Sequence, residues 1–149
     1  MRAVVQRVKD CTVTVGTETV GAIAAGLLVY VGFESDDSDP DIRFLAEKLV
    51  NLRIFPDSEG KMNLSIKEIG ERILVVSQFT LHADARKGRR PSYNRAAPPD
   101  LAKTLYTAFL AELERLEIVP EQGRFGASME VRYTNQGPVT ILLDSRKEF

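Results

Sequence analysis

The chain is poor in the residues that most often do chemistry. Its 149 residues include one cysteine, Cys11, and one histidine, His82. A single thiol excludes an internal disulfide and fits a reducing compartment. One imidazole and one thiol cannot assemble a zinc site of the usual ligand types. Neither the phosphate-cradling G-x-x-x-x-G-K-[ST] pattern nor G-x-G-x-x-G occurs, so nucleotide binding of those two kinds is unsupported. No apolar run approaches the ~18–20 residues of a membrane span. The opening Met1-Arg2-Ala3-Val4-Val5-Gln6 lacks the apolar stretch of a signal peptide. A net charge of −1 gives no whole-molecule attraction to polyanions, so an anionic ligand would have to be met by a local patch. Together these absences predict a cytoplasmic, soluble protein. Its length suits one domain, residues 1–149, that buries about two-thirds of its unfolded surface.

What is present is a strong alternation of short apolar runs and turn residues. Residues 2–15 read as a β-segment with a break near Lys9-Asp10, and Gly16-Thr17 turns the chain into Thr19–Ile23 as a hairpin. Gly26 opens a buried strand, Leu27–Phe33. Glu34 to Asp41 holds five acids and no base, which reads as a solvated loop entering a helix N-terminus. Ser38 or Asp39 can cap that helix and Pro40 fits its first turn. Ile42, Leu45, Ala46, Leu49 and Val50 then recur at helical spacing to about Leu52. A second helix is expected from about Asp100 to Glu117, after Pro98-Pro99. The order β-β-β-α-β-α-β-β predicts an α/β domain with both main helices on one sheet face.

Two stretches organise the chain. Ile73-Leu74-Val75-Val76 is a strand buried on both faces that runs into Ser77-Gln78-Phe79-Thr80-Leu81. Polar groups at such a strand end need partners or a cleft. Gly137-Pro138 lies between the β-type runs Met129–Tyr133 and Val139–Leu143. Proline gives a ladder no amide, so the dipeptide must be a turn, an edge or a bulge. The sequence alone leaves its isomer open.

Several residue groups could do chemistry. A Ser-His-Asp arrangement would need His82 as base beside Ser77 or Thr80, and no orienting acid is evident. His82 is therefore read as a surface or pocket-rim residue. Arg86, Lys87, Arg89, Arg90 and Arg95 put five positive charges between Ala85 and Pro99 with no acid among them, which suggests an anion-binding rim rather than a plain solvated loop. Gly60–Ser65 and Gly123–Met129 suit either turns or pocket walls. Arg7 reads as a solvated edge residue.

In combination these stretches closely resemble the D-aminoacyl-tRNA deacylases. The matching pieces are Met1–Val8, Asn51–Phe55, Lys61–Ser65, Ser77–Leu81, Lys87–Ser92, Gly123–Ala127 and Asn135–Thr140, in order along the whole chain. Two positions depart from the pattern: Gln136, where many members have aspartate, and His82, often an aromatic position. The resemblance implies a layered α/β/β fold with mixed sheets and a homodimer. It implies hydrolysis of the ester between a D-amino acid and the 3′-terminal adenosine of tRNA, and removal of glycine mischarged on tRNA. It further implies that a cis Gly137-Pro138 from one subunit enters the pocket of the other, where Ser77 and Gln78 line the substrate. No metal or organic cofactor is implied. Arg86, Lys87, Arg89 and Arg90 would meet tRNA, and Arg7 would brace the Gly-Pro unit. Catalysis would fall to the main-chain amides of Phe79 and Thr80; the alternative, Thr80 as covalent nucleophile, requires a base. A non-catalytic RNA-binding dimer and a small-molecule esterase remain as competing readings.

Overall fold

The computed structural model describes residues 1–149. Two long strands, β1 (Arg2–Val15) and β2 (Glu18–Gly32), form the opening hairpin. They are followed by α1 (Asp39–Val50), a two-stranded ribbon of β3 (Phe55–Pro56) and β4 (Met62–Leu64), and the short α2 (Ile66–Ile69). Next come β5 (Arg72–Ser77), a 3-10 turn (Phe79–His82), α3 (Pro99–Arg115), β6 (Glu121–Gln122) and β7 (Glu130–Asp144). The main sheet has the order β6-β5-β2-β1-β7. It is mixed: β2 pairs with β5 and β5 with β6 in parallel, whereas β1 pairs with β2 and β7 antiparallel. Helical crossings between parallel strands, α1 before β5 and α3 before β6, account for that mixture.

Local chemistry explains the helices. Ser38 caps α1 and Asp41 reaches back to the Ser38 amide, with Pro40 in the first turn. The α1 stripe Ile42, Leu45, Leu49 and the α3 residues Leu105, Phe109, Leu113 join one buried cluster with Val5, Leu27, Val29, Val31, Ile73 and Val75. A second cluster, Val8, Cys11, Val13, Ile23, Leu28, Leu74 and Val76, occupies the other sheet face. In β1, Val5 belongs to one face and Cys11 and Val13 to the other although all three are odd-numbered. Side chains alternate with period two, so the strand must slip by one residue between them. Asp10, at φ 53°, is where it slips, and the β1–β7 register shifts across Lys9 to Thr12. In β2 the matching irregularity is Gly26, at φ 135°, where a Cβ would lie 1.9 Å from the Arg72 carbonyl oxygen.

Several sequence expectations need correction. The runs expected at Thr19–Ile23 and Leu27–Phe33 are one strand, β2, which ends at Gly32, because Gly26 bends the ladder without ending it. Likewise the runs expected at Met129–Tyr133 and Val139–Leu143 form one strand, β7, which begins at Glu130. The central strand stops at Ser77, and the chain beyond it tightens into a turn instead of extending the strand. The acidic stretch does lead into the α1 N-terminus but is only partly solvated: Asp36 and Asp39 are exposed, whereas Glu34 and Asp37 are buried. Asp37 accepts the Met1 ammonium at 2.5 Å, and Glu34 accepts Arg95 at 2.9 Å and Arg146 at 3.1 Å. Buried charges persist only when paired and hydrogen-bonded, and here the partners arrive from both ends of the chain.

Candidate active site

The site begins where β5 runs out. The Gln78 amide still donates to Val31, at 2.7 Å, so the residue stays locked to the end of β2. A Cβ at Gly32 would lie 2.6 Å from the Gln78 carbonyl oxygen, so this close approach requires glycine there. The chain then coils, with Leu81 donating to Gln78 and Ala83 to Thr80. Phe79 and Thr80 open the 3-10 turn, and the first amides of such a turn have no acceptor within it. The Gln78 side-chain amide donates to the Thr80 hydroxyl. The sequence places Ser77, Gln78, Phe79 and Thr80 side by side, and the fold brings them to one strand end.

That end borders a cavity of about 650 Å3, within the usual range for ligand sites. Gly32, Phe33, Ser77, Gln78 and Phe79 line one side; Phe125, Gly126, Ala127 and Met129 line another. The lining is mostly apolar, with Ser77 and Gln78 as its polar groups. Gly123–Met129 is thus a pocket wall, held close because a Cβ at Gly123 would meet the Met129 sulfur at 2.7 Å. A location beyond the carboxyl ends of parallel strands β2 and β5 matches where α/β sheets bind ligands.

His82 is not a rim residue, which corrects the sequence reading. Its side chain is fully buried, and Nδ1 lies 2.9 Å from Glu34 Oε1. The orienting acid that the sequence does not reveal therefore exists, 48 residues upstream. Glu34 is also flanked by Arg95 and Arg146, and Nε2 of His82 is buried without a hydrogen-bond partner. His82 does not border the cavity. It pins the 3-10 turn from behind, assisted by Arg2, whose guanidinium donates to the Leu81 carbonyl at 3.1 Å.

The basic residues divide into two groups. Asp84 and Ser92 pair through two backbone bonds, closing a finger that holds Arg86 to Pro91. Arg86 folds back onto Asp84, whose carboxyl is held well below the usual range by that guanidinium. Arg95 turns inward to Glu34 and Glu148. Lys87, Arg89 and Arg90 remain exposed with no acidic partner. All five look free in the sequence because the acids that neutralise two of them lie outside the segment.

Gly137 and Pro138 sit in a bulge of β7. Gln6 pairs with Thr140 and Val8 with Asn135, so the single residue Arg7 faces four residues, Gln136 to Val139. The excess backbone projects as a knob. The Gly137–Pro138 peptide is cis, and both residues are exposed. Arg7 is not a solvated edge residue: its Nη1 donates to the Ile54 carbonyl at 2.7 Å and its Nε to the Gln136 carbonyl at 3.3 Å. The knob does not border the cavity of its own chain.

A family model described as D-Tyr-tRNA(Tyr) deacylase matches residues 4–144. The chain belongs to the D-aminoacyl-tRNA deacylase family. Relatives named D-aminoacyl-tRNA deacylase in Syntrophobacter fumaroxidans and Thermosipho africanus are each 56% identical over 149 residues, covering 100% of both chains. Among solved structures, one titled c-Myc DNA Unwinding Element Binding Protein superposes with a TM-score of 0.91 at 40% identity, covering 97% of this chain and 98% of that one. A probable eukaryotic D-amino acid tRNA deacylase shares the fold, with a TM-score of 0.80 at 22% identity, covering 95% of this chain and 97% of the other. The deacylase assignment makes the chain an enzyme of the hydrolase class.

Proposed function

We propose that the chain hydrolyses the ester joining a D-amino acid to the 3′-terminal adenosine of tRNA, releasing the D-amino acid and reusable tRNA. Glycine mischarged on tRNA is a second substrate. The working unit is a cytoplasmic homodimer of layered α/β/β domains, each with α1 and α3 on one sheet face. Gly137-Pro138 of one protomer completes the cavity of the other. The observation that carries this reading is the separation of knob and cavity within one chain. Arg7, opposite the knob, is level with Leu27 on β2, whereas Ser77 is level with Val31. Four residues along the strands and three strand spacings across the sheet place the two on the order of 20 Å apart. A knob that far away cannot act on its own cavity, and β7 is a long sheet edge with no neighbour, open to a second copy.

The chemistry is set by Ser77, Gln78 and Phe79 on the cavity wall and by Thr80, which follows them in the 3-10 turn without lining the cavity. Water adds to the ester carbonyl, the new C–O bond forms, and the ribose O3′ leaves with a proton. The Phe79 and Thr80 amides stabilise the oxyanion, a contribution of about 3–4 kcal/mol for one good donor. The ribose 2′-hydroxyl orients the water, since no side-chain base borders the cavity. Gln78 orients Thr80, and Ser77 lines the substrate. Arg86, Lys87, Arg89 and Arg90 form the tRNA-facing finger, in which the last three supply free charge.

D and L esters differ by exchange of a hydrogen and a side chain at one carbon. A pocket open to many D side chains gains nothing by gripping them, so selectivity must come from denying space on the L side. Main-chain atoms of a unit whose proline ring fixes φ, and which Arg7 ties down, suit that task. Glycine has no side chain to clash and passes. The test is deacylation of matched D-, L- and glycyl-tRNA: D and glycine esters should be cleaved and L spared, whereas equal rates for D and L would overturn steric exclusion.

A further inference from the structure

We propose that the exposed rings of Phe79 and Tyr93 form a stacking platform for the unpaired bases that precede the terminal adenosine of the RNA substrate. The proposal rests on the deacylase reading above and adds a binding subsite to it. Four aromatic rings are exposed: Phe44, Phe79, Tyr93 and Phe149. Phe44 and Phe149 are each covered by a cation, Lys147 and Arg2 respectively. Phe79 and Tyr93, 56% and 41% exposed, have only each other.

Their centroids are 5.2 Å apart and their planes meet at 63°. Edge-to-face packing holds both rings in place and leaves their outer faces bare and divergent, as splayed single-stranded bases require. Their position points the same way. Both rings border the cavity, so a base on the platform adjoins a terminal nucleotide that has entered it. Tyr93 also directly follows Ser92, which closes the finger bearing Lys87, Arg89 and Arg90. From inside outward the surface therefore offers an apolar cavity, two π-faces and free cations. In an aminoacylated single-stranded RNA the ester lies at the very end, and the preceding nucleotides, each with a base and a phosphate, extend outward from it over rings and cations alike. An acidic peptide would use the cations but leave two apolar rings without a counterpart.

The test compares Tyr93→Leu with Tyr93→Trp, at an exposed position where neither change burdens folding. Leucine keeps apolar bulk and loses the π-face; tryptophan keeps the face. With D-aminoacyl-tRNA as substrate, Tyr93→Leu should raise KM about tenfold with kcat within about twofold, while Tyr93→Trp stays within about twofold in both. On 3′-(D-aminoacyl)adenosine, which has no preceding base, the leucine penalty should be at least about fivefold smaller. An equal penalty on both substrates would show that Tyr93 only shapes the cavity and would overturn the proposal, as would leucine matching tryptophan on tRNA. Wild-type protein that leaves D-aminoacyl-tRNA intact would instead sink the deacylase reading, and the platform with it.

Discussion

At the scale of single residues, the proposed catalysts are main-chain amides rather than side chains, and that distinction can be measured. Phe79 is the first residue of its 3-10 turn, a position that accepts proline without loss of an internal bond. Phe79→Pro should therefore keep the turn, delete one oxyanion donor and lower kcat by about 10²–10³, with Phe79→Leu as the control for the ring. Thr80→Ala should keep substantial turnover. A trapped acyl-Thr80 species would reverse that assignment in favour of the hydroxyl nucleophile. Arg7 offers a second residue-scale check, since it ties both Ile54 and Gln136 to the knob's base. Arg7→Ala should raise L-aminoacyl-tRNA cleavage relative to D; unchanged selectivity would remove the bracing role. His82 shows what one chain position cannot reveal. Its imidazole is legible as a lone base, but its burial depends on Glu34, and Glu34 is held by arginines 61 and 112 positions further on.

At the scale of elements, periodicity serves where structure is local and fails where it is not. The α1 start at Ser38 and Pro40 and its apolar stripe can be read directly, because capping and amphipathic spacing are set within a few residues. Gly26 and Gly137-Pro138 look like strand breaks because glycine and proline punctuate isolated chains. Inside a sheet, neighbouring ladders carry the strand through them. The acidic stretch misleads for a related reason: two of its acids, Glu34 and Asp37, are buried against Arg146 of the C-terminal tail, while Asp36 stays exposed. The start of the tail, at Asp144, carries a pH dependence of its own. Burial alone would raise the Asp144 carboxyl, but hydrogen bonds from the Arg2 side chain and the Arg146 amide outweigh it, and its value falls below the ordinary 3.8. Because the folded value is depressed, the stabilisation is complete above 3.8 and is lost as pH falls through the lower folded value. Amide exchange in residues 144–149 should accelerate below that point before the core strands respond; simultaneous loss would refute a separable strap. The finger gives a salt-dependence prediction. Replacing Lys87, Arg89 and Arg90 together by alanine should flatten the salt dependence of tRNA binding by about two to three in log–log slope, whereas an unchanged slope would free the finger of any phosphate role.

At the scale of the whole molecule, the cavity and the Gly-Pro knob proposed as its chiral gate lie apart within one chain. The cavity lies beyond β5 and reaches Val131 on β7, whereas the knob lies further along β7, so the sequence can show both motifs without showing their spatial relation. The central claim is that the gate reaches the cavity from a second copy. Mixed dimers test it most directly. One parent carries Phe79→Pro, which disables its own cavity and leaves its knob intact; the other carries Pro138→Gly, which loosens the knob and leaves the cavity intact. Measured as the D-to-L deacylation ratio, the second parent alone should be poorly selective, and mixing with the first should restore selectivity in the heterodimer. If the ratio in the mixture stays at that of the Pro138→Gly parent, gate and cavity belong to the same chain and the shared-site dimer is wrong.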